Sequence, residues 1–116
     1  MKARFLIFLL LGLAGAALAA GDDAPPPNYL ELPPGRYSVG VSGMLSTVDS
    51  RSIAAEWAKL PEIESASVDF DQERAIISIR LDRTLEIVTL RRGLRRAERV
   101  ANMGARYELR RIQYIP

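Results

Sequence analysis

The order in which apolar residues change their spacing is the strongest constraint on the fold of this 116-residue chain. From Arg36 onward they alternate with polar residues, then recur every three or four positions, and then alternate through two further segments. A second stretch with spacings of three and four follows, and a last alternating segment ends the chain. Alternation is typical of a half-buried strand, and spacings of three and four are typical of a helix. The sequence therefore predicts the order strand, helix, strand, strand, helix, strand.

The four predicted strands each direct one set of apolar residues towards a common core. Those residues are Tyr37, Val39 and Val41 in the first strand, Ala66, Val68 and Phe70 in the second, Ala75, Ile77, Ile79 and Leu81 in the third, and Tyr107, Leu109, Ile112 and Tyr114 in the last. The polar run 71–73 is a tight connection, so we expect the second and third strands to be antiparallel. Arg110-Arg111 interrupts the last alternation, which predicts a β-bulge or a loosened strand end.

Two amphipathic helices separate these strands. The first is expected to begin at a cap formed by Thr47 or Asp49 and to end near Leu60. The second is expected to run from about Thr84 to Asn102, with Gly104 in a left-handed C-cap. Both apolar stripes are buried if the two helices pack on one face of a four-stranded antiparallel sheet. We therefore expect an α+β fold, the ferredoxin-like βαββαβ sandwich, with its second and fourth strands at the edges.

The first 19 residues have the pattern of a secretory signal peptide. Lys2 and Arg4 precede an apolar run, and Ala17-Leu18-Ala19 has the small residues that a signal peptidase accepts. The alternative is a membrane anchor, but the run barely reaches the ~20 residues of a spanning helix and no basic stop follows it. We expect an exported protein, periplasmic or secreted, that is not transmembrane once the signal is cleaved.

Residues 20–35 read as a proline-rich leader, and residues 36–116 as one folded domain. The prolines at 25–27 and 33–34 are unsuited to a sheet ladder or a helix interior, which favours an extended spacer. In the alternative, Tyr29, Leu30 and Leu32 dock on the domain.

The chain contains no cysteine and no histidine. It therefore lacks the thiolate nucleophile, the commonest general base and the commonest metal ligand. The carboxylate pairs Glu62/Glu64 and Asp69/Asp71 have the spacing of an exposed strand edge. We expect a protein that is not an enzyme.

Short motifs add a resemblance to a known family. They are Val39-x-Val41-x-Gly43-Met44, Leu60-Pro61, Ile63-x-Ser65-Ala66-Ser67-Val68 and Met103-Gly104-Ala105-Arg106-Tyr107. In this arrangement the domain resembles the heavy-metal-associated domain of copper chaperones, metal-exporting ATPases and periplasmic mercury-binding proteins. The resemblance implies the same ferredoxin-like fold, with a metal site in the loop after the first strand.

The chain departs from that family at the metal site itself. Two cysteines follow the Gly-Met motif in the family, and their positions correspond here to Ser46 and Asp49. A hydroxyl and a carboxylate are hard donors, whereas Cu(I) and Hg(II) prefer thiolates. If a metal binds, Met44, Ser46 and Asp49 are the candidate ligands. In the alternative, which we favour, Asp49 caps the helix, Met44 belongs to the core and no cofactor is bound.

Charge is divided unequally along the chain. Residues 21–73 carry ten acidic and three basic residues, and residues 74–116 carry eleven arginines and four acidic residues. Five of those arginines fall within an arc of about 140° around the second helix, so we expect them to share one exposed face. They are Arg91, Arg92, Arg95, Arg96 and Arg99. The face could be solvated and neutralised by the acidic half of the chain. Otherwise we expect it to bind an acidic protein surface or anionic lipid, and not nucleic acid, because the protein is exported and the face lacks aromatic residues.

Together these features predict an exported binding or adaptor module that lacks the thiolate metal site and acts through protein–protein contacts. The alternatives are a periplasmic metal-binding protein with ligands other than cysteine, and a protein that binds anionic membrane surfaces through the arginine-rich helix.

Overall fold

The computed structural model describes residues 25–101 and 104–116. In chain order the elements are β1 (Glu31–Leu32), β2 (Gly35–Ser42), α1 (Thr47–Ala58), β3 (Ile63–Asp69), β4 (Arg74–Ile79), β5 (Leu85–Glu86), α2 (Ile87–Ala101) and β6 (Glu108–Ile115). The predicted signal peptide and the predicted end of the second helix at Asn102 lie outside the described residues. Within the described ranges, no helix has the length and apolar character needed to cross a bilayer.

The main sheet has the order β3-β4-β2-β6, and every neighbouring pair is antiparallel. α1 packs against α2 and β3, so the buried sides of the strands face the helix layer. This is the predicted α+β ferredoxin-like fold, and β3 and β6 are its edge strands as expected. The register of β6 on β2 shifts between Val39 and Val41, where Arg110 and Arg111 of β6 lie opposite Gly40 of β2. The predicted bulge at Arg110-Arg111 is therefore confirmed.

A tryptophan joins the two helices at the centre of the core. The indole Nε1 of Trp57 donates a hydrogen bond to the carbonyl of Leu90 at 3.0 Å. A Cβ placed on Gly93 would lie only 2.7 Å from Cδ1 of Trp57. The glycine in the middle of α2 therefore makes room for the indole, which offsets its low helix propensity.

The described part of the leader, residues 25–35, is part of the fold rather than a spacer. Glu31 and Leu32 pair with Glu86 and Leu85 in a two-stranded antiparallel ladder, and Leu32 is only 2% exposed. Leu30 packs against the core, whereas Tyr29 is 85% exposed, so only two of the three candidate contacts form. The prolines flank the ladder without occupying its paired positions, and this is why the expectation of an unpaired leader was wrong.

Two further boundaries differ from the predictions. Thr84 was expected to start the second helix, but the following residues form β5 and α2 begins at Ile87. Leu81 was expected to face inward from the third strand, yet β4 ends at Ile79 and Leu81 is 91% exposed in the turn that follows.

Candidate functional site

The loop between β2 and α1 contains the predicted metal-ligand positions, and it rests on the backbone that precedes β6. Gly43 has φ +96°, and a Cβ at this position would lie 1.9 Å from the carbonyl oxygen of Arg106. No other residue type fits this contact without moving the backbone. The glycine of the Gly-Met motif is therefore required for packing.

Ser46 is the N-cap of α1. Its Oγ accepts a hydrogen bond from the backbone N–H of Val48 at 3.2 Å. The expectation that Thr47 or Asp49 would cap the helix was therefore wrong, because the helix starts one residue earlier than a Thr47 cap would allow. Asp49 is the third residue of α1, in its first turn.

The Asp49 carboxylate is buried and closes the loop. It is 1% exposed; its Oδ2 accepts from the N–H of Leu45 at 2.5 Å and its Oδ1 accepts from the hydroxyl of Tyr107 at 2.5 Å. Burial, followed by the hydrogen bond to Asp49 and its charge, raises the pKa of the Tyr107 hydroxyl well above its usual value. The phenol therefore remains a hydrogen-bond donor throughout the physiological pH range.

These contacts leave little coordinating capacity in the loop. Both oxygens of Asp49 and the hydroxyl of Ser46 have hydrogen-bond partners, and Met44 is 7% exposed within the core. Elsewhere in residues 25–101 and 104–116, no three or more His, Cys, Asp or Glu side chains are grouped as metal ligands. Two hard oxygen donors and one thioether do not fit a soft metal ion.

Two arginines of α2, Arg91 and Arg95, form hydrogen bonds with other segments of the same chain. Arg91 donates to the side-chain oxygen of Asn28 and, at 2.6 Å, to the carbonyl of Pro26, so it holds the leader. Arg95 donates to the carbonyl of Tyr107 and pairs with Glu98 at 3.0 Å. The carboxylate of Glu98 also accepts from the N–H of Tyr107 at 2.8 Å.

Arg96 connects α2 to α1. Its Nε lies 3.2 Å from Oε1 of Glu56, whose Oε2 is 3.1 Å from Nζ of Lys59. Burial acts to raise the pKa of Glu56, but hydrogen bonds and the charges of Lys59 and Arg96 outweigh it, so the pKa lies below its usual value.

Arg91, Arg95 and Arg96 are therefore only partly exposed, and the pairing of Arg96 with Glu56 agrees with the alternative in which the acidic half of the chain neutralises this face. Arg92 and Arg99 are exposed, and neither has an ion pair within the part of the chain that the structure describes. Sequence reasoning missed Glu56, Glu98 and Tyr107. Glu98 lies three residues after Arg95, so its pairing could have been anticipated, whereas Asp49 and Tyr107 are 58 residues apart and no local pattern connects them.

The two sheet edges present different surfaces. Along β3 the exposed residues are Glu64, Ser65, Ser67 and Asp69, and Asp71 follows in the turn. β6 carries the bulge at Arg110-Arg111, where Arg110 donates to Oγ of Ser42 at 3.1 Å and Arg111 is exposed. The β3 edge is therefore acidic and has a continuous register from Ser65 to Asp69, whereas the β6 edge is basic and interrupted by its bulge.

Two solved structures have a partly similar chain path. No known family profile and no curated protein matches the chain. A solved structure described as "Crosstalk between Cu(I) and Zn(II) homeostasis" is 24% identical, with a TM-score of 0.46, and the match covers 64% of this chain and 96% of the other. A copper-binding domain from HMA7, a P-type ATPase, is 23% identical with a TM-score of 0.49, over 64% and 90% of the two chains. The fold assignment rests on the strand order described above.

Proposed function

We propose that the chain is an exported, non-catalytic binding module that acts by contacting another protein along an edge of its sheet. The observation that carries this proposal is the free outer side of β3. This strand has seven residues, pairs with β4 on one side, and has no strand against its other side within residues 25–101 and 104–116. An unpaired edge of this kind can accept a partner strand through backbone hydrogen bonds.

The two edges are not equally suited to that role. β6 has an extra residue at its bulge, which interrupts the regular spacing of backbone donors and acceptors. β3 also has an irregularity, between Ile63 and Ser65, but from Ser65 to Asp69 its register on β4 is continuous. Ser65–Asp69 is therefore the segment on which we expect a partner strand to be added.

The hydrogen bonds to Asp49 in the loop between β2 and α1 support a function that does not depend on metal binding. A metal ion at Asp49 would have to displace the hydrogen bonds from Leu45 and Tyr107, which would leave two donors without acceptors. Unsatisfied buried donors are unfavourable by about 1–3 kcal/mol each. The copper binding named for the P-type ATPase domain therefore does not transfer readily to these residues.

Site-specific photo-crosslinking in cells that express the full chain tests the binding surface. A photoreactive phenylalanine analogue replaces Ser67 on β3, and the same analogue at Leu81, an exposed turn position, is the control. We expect a discrete crosslinked protein from position 67 and none from position 81. Crosslinks from position 92 or 99 on α2, with none from 67, would assign the contact to the arginine-rich helix instead.

A metal titration tests the loop separately. Backbone amide spectra of the purified protein are recorded with Cu(I) under reducing conditions and then with Zn(II). We expect no saturable shifts at Gly43 to Asp49. Saturable shifts confined to this segment, lost in Asp49→Ala, would contradict the proposal and restore a metal-binding function.

A further inference from the structure

The unequal charge of the two halves of the chain becomes a separation of charge across the folded sheet. The acidic half supplies β3 at one edge, and the basic half supplies β6 at the other, with β4 and β2 between them. Glu64, Asp69 and Asp71 are exposed on the β3 side, and Arg111 is exposed on the β6 side. None of these four has an ion pair within the described residues. The molecule therefore has one acidic and one basic edge, each with unneutralised charge.

We propose that the partner strand of β3 is β6 of a second copy of this chain, so that copies associate head to tail. This inference rests on the proposed function, because it uses the same free edge. It names the partner from the charge complementarity of the two edges. The contact is heterologous, since one copy contributes its acidic edge and the other its basic edge.

Strand direction permits this pairing. β3 is antiparallel to β4, β4 to β2 and β2 to β6, so β3 and β6 run in opposite directions within one copy. A second copy moved sideways across the sheet, without being turned over, therefore places its β6 antiparallel to β3 of the first. That arrangement continues the hydrogen-bonding pattern of the sheet.

The rows of the sheet also bring the opposite charges together. Asp69 pairs with Arg74, and Arg74 pairs with Gly40. A Cβ on Gly40 would lie 3.0 Å from Cβ of Arg110, so this row ends at the arginine bulge of β6. Extending the row into a second copy places Asp69 beside Arg110-Arg111.

The faces of the two strands agree in the same register. Val68 pairs with Ala75, and Ile112 pairs with Val39. Because Val39 and Ala75 also pair with each other, Val68 and Ile112 lie in one row of the sheet, and both point towards the helix layer. Ser67 and Gln113 lie in the next row and are both exposed. A slip of one residue would put apolar side chains opposite polar ones on each face, which disfavours it.

Symmetric pairings lack this charge complementarity. Two β3 strands would bring Asp69 and Glu64 of one copy near the same carboxylates of the other, and two β6 strands would bring arginine against arginine. Like charges on directly opposed strands are destabilising. The head-to-tail contact is short because of the bulge in β6, so we expect a reversible association that weakens as salt is raised.

Sedimentation of protein purified from cells that express the full chain tests the inference. We expect concentration-dependent self-association at low salt and its loss at high salt. Asp69→Arg and Arg111→Asp should each weaken it by roughly tenfold, since each places like charges at the contact. Asp82→Arg and Arg83→Asp make the same charge changes in the exposed turn after β4 and should leave it unchanged.

An equimolar mixture of the Asp69→Arg and Arg111→Asp proteins gives the sharpest result. Each variant alone has two edges of like charge, but the β3 edge of the Arg111→Asp protein matches the β6 edge of the Asp69→Arg protein. The mixture should therefore associate where neither variant does, which also demonstrates that both are folded. A monomeric wild-type protein at all concentrations, or association unaffected by either edge variant, would overturn the inference. A crosslink from position 67 to a different protein would leave the proposed function intact in that case.

Discussion

The arginines of α2 and those of β6 come from the same basic half of the chain, yet they face different surroundings. In α2, Arg95 and Arg96 reach the carboxylates of Glu98 and Glu56, both of which are largely buried. In β6, Arg111 is exposed and Arg110 donates to the hydroxyl of Ser42. α2 has α1 on one side and the segment before β6 within reach, whereas β6 has no strand on its outer side among the described residues. Arginines of this fold are therefore available to other molecules only where no carboxylate of the chain itself lies within reach.

The carboxylates show the same division. Asp49, Glu56 and Glu98 are turned into the protein; Asp49 and Glu98 accept hydrogen bonds from Tyr107, and Glu56 accepts one from Arg96 of α2. Glu64 and Asp69 lie on the β3 edge and are exposed. The first group should therefore determine stability, and the second should determine association.

Asp49→Ala should have the largest effect on stability, with a loss of about 2–4 kcal/mol in the free energy of unfolding. It removes the acceptor of both the Tyr107 hydroxyl and the Leu45 N–H, and unsatisfied buried donors are destabilising. Chemical denaturation measures the loss. Asp71→Ala, in the exposed turn after β3, is the matched control and should change the free energy by less than about 0.5 kcal/mol. Equal effects of the two variants would remove the distinction between inward and outward carboxylates.

Glu98→Ala tests the inward group at the end of α2, and we expect a loss of about 2–3 kcal/mol. The variant leaves the N–H of Tyr107 without its acceptor and Arg95 without its carboxylate. Denaturant titration measures this loss as well. Glu108→Ala, at the exposed start of β6, is the control and should be nearly neutral. A neutral Glu98→Ala would mean that α2 is held without this contact.

The strand order of the main sheet could be predicted because it follows from the spacing of apolar residues within each segment. The alternating segments around Val39, Val68 and Ile77 and the stripe of α2 each require a buried face, and one arrangement buries them all. The end of the first strand at Gly43 and the bulge at Arg110-Arg111 could also be predicted, because each is indicated by the residues at that position alone. The leader ladder could not be predicted in the same way, because two residues are too few to show a period and their partners lie more than fifty positions away.

The candidate site was harder to predict because the roles of its side chains depend on contacts between segments that are distant in the sequence. The motifs predict Ser46 and Asp49 as candidate ligands, but in the structure the Asp49 carboxylate accepts a hydrogen bond from the hydroxyl of Tyr107. A helical wheel likewise places five arginines on one side without showing that Glu56 of α1 reaches that side. Residue spacing gives the direction of a side chain, whereas its partner depends on how the helices pack.

Arg96→Ala and Arg92→Ala sharpen the comparison within α2 itself. Arg96 pairs with a buried carboxylate, so its removal should lower the free energy of unfolding by about 1–2 kcal/mol. Arg92 is exposed, and its removal should be neutral to within about 0.5 kcal/mol. Thermal and denaturant unfolding of both variants measure the difference. If Arg92→Ala were the more destabilising, the assignment of inward and outward arginines would be reversed.

The smallest effect expected is the pH dependence of the contact between the helices. The pKa of Glu56 lies below its usual value in the folded protein, because the charges and hydrogen bonds of Lys59 and Arg96 outweigh burial. Its ionised form therefore stabilises the fold above the unfolded pKa of about 4.3, and this stabilisation is lost as the pH falls through the lower folded value. Glu56→Gln keeps the shape of the side chain but removes the charge, so it should be less stable than wild type at pH 7 by about 1 kcal/mol.

Denaturation of wild type and Glu56→Gln across the acid range checks the sign of this effect. The difference between the two proteins should shrink as the pH falls, because the carboxyl group of the wild type becomes neutral as well. Glu64→Gln, on the exposed β3 edge, should stay within about 0.5 kcal/mol of wild type throughout. A Glu56→Gln deficit that persists unchanged at low pH would mean that shape rather than charge joins α1 to α2. The inward arginines would then differ from those of β6 in packing alone.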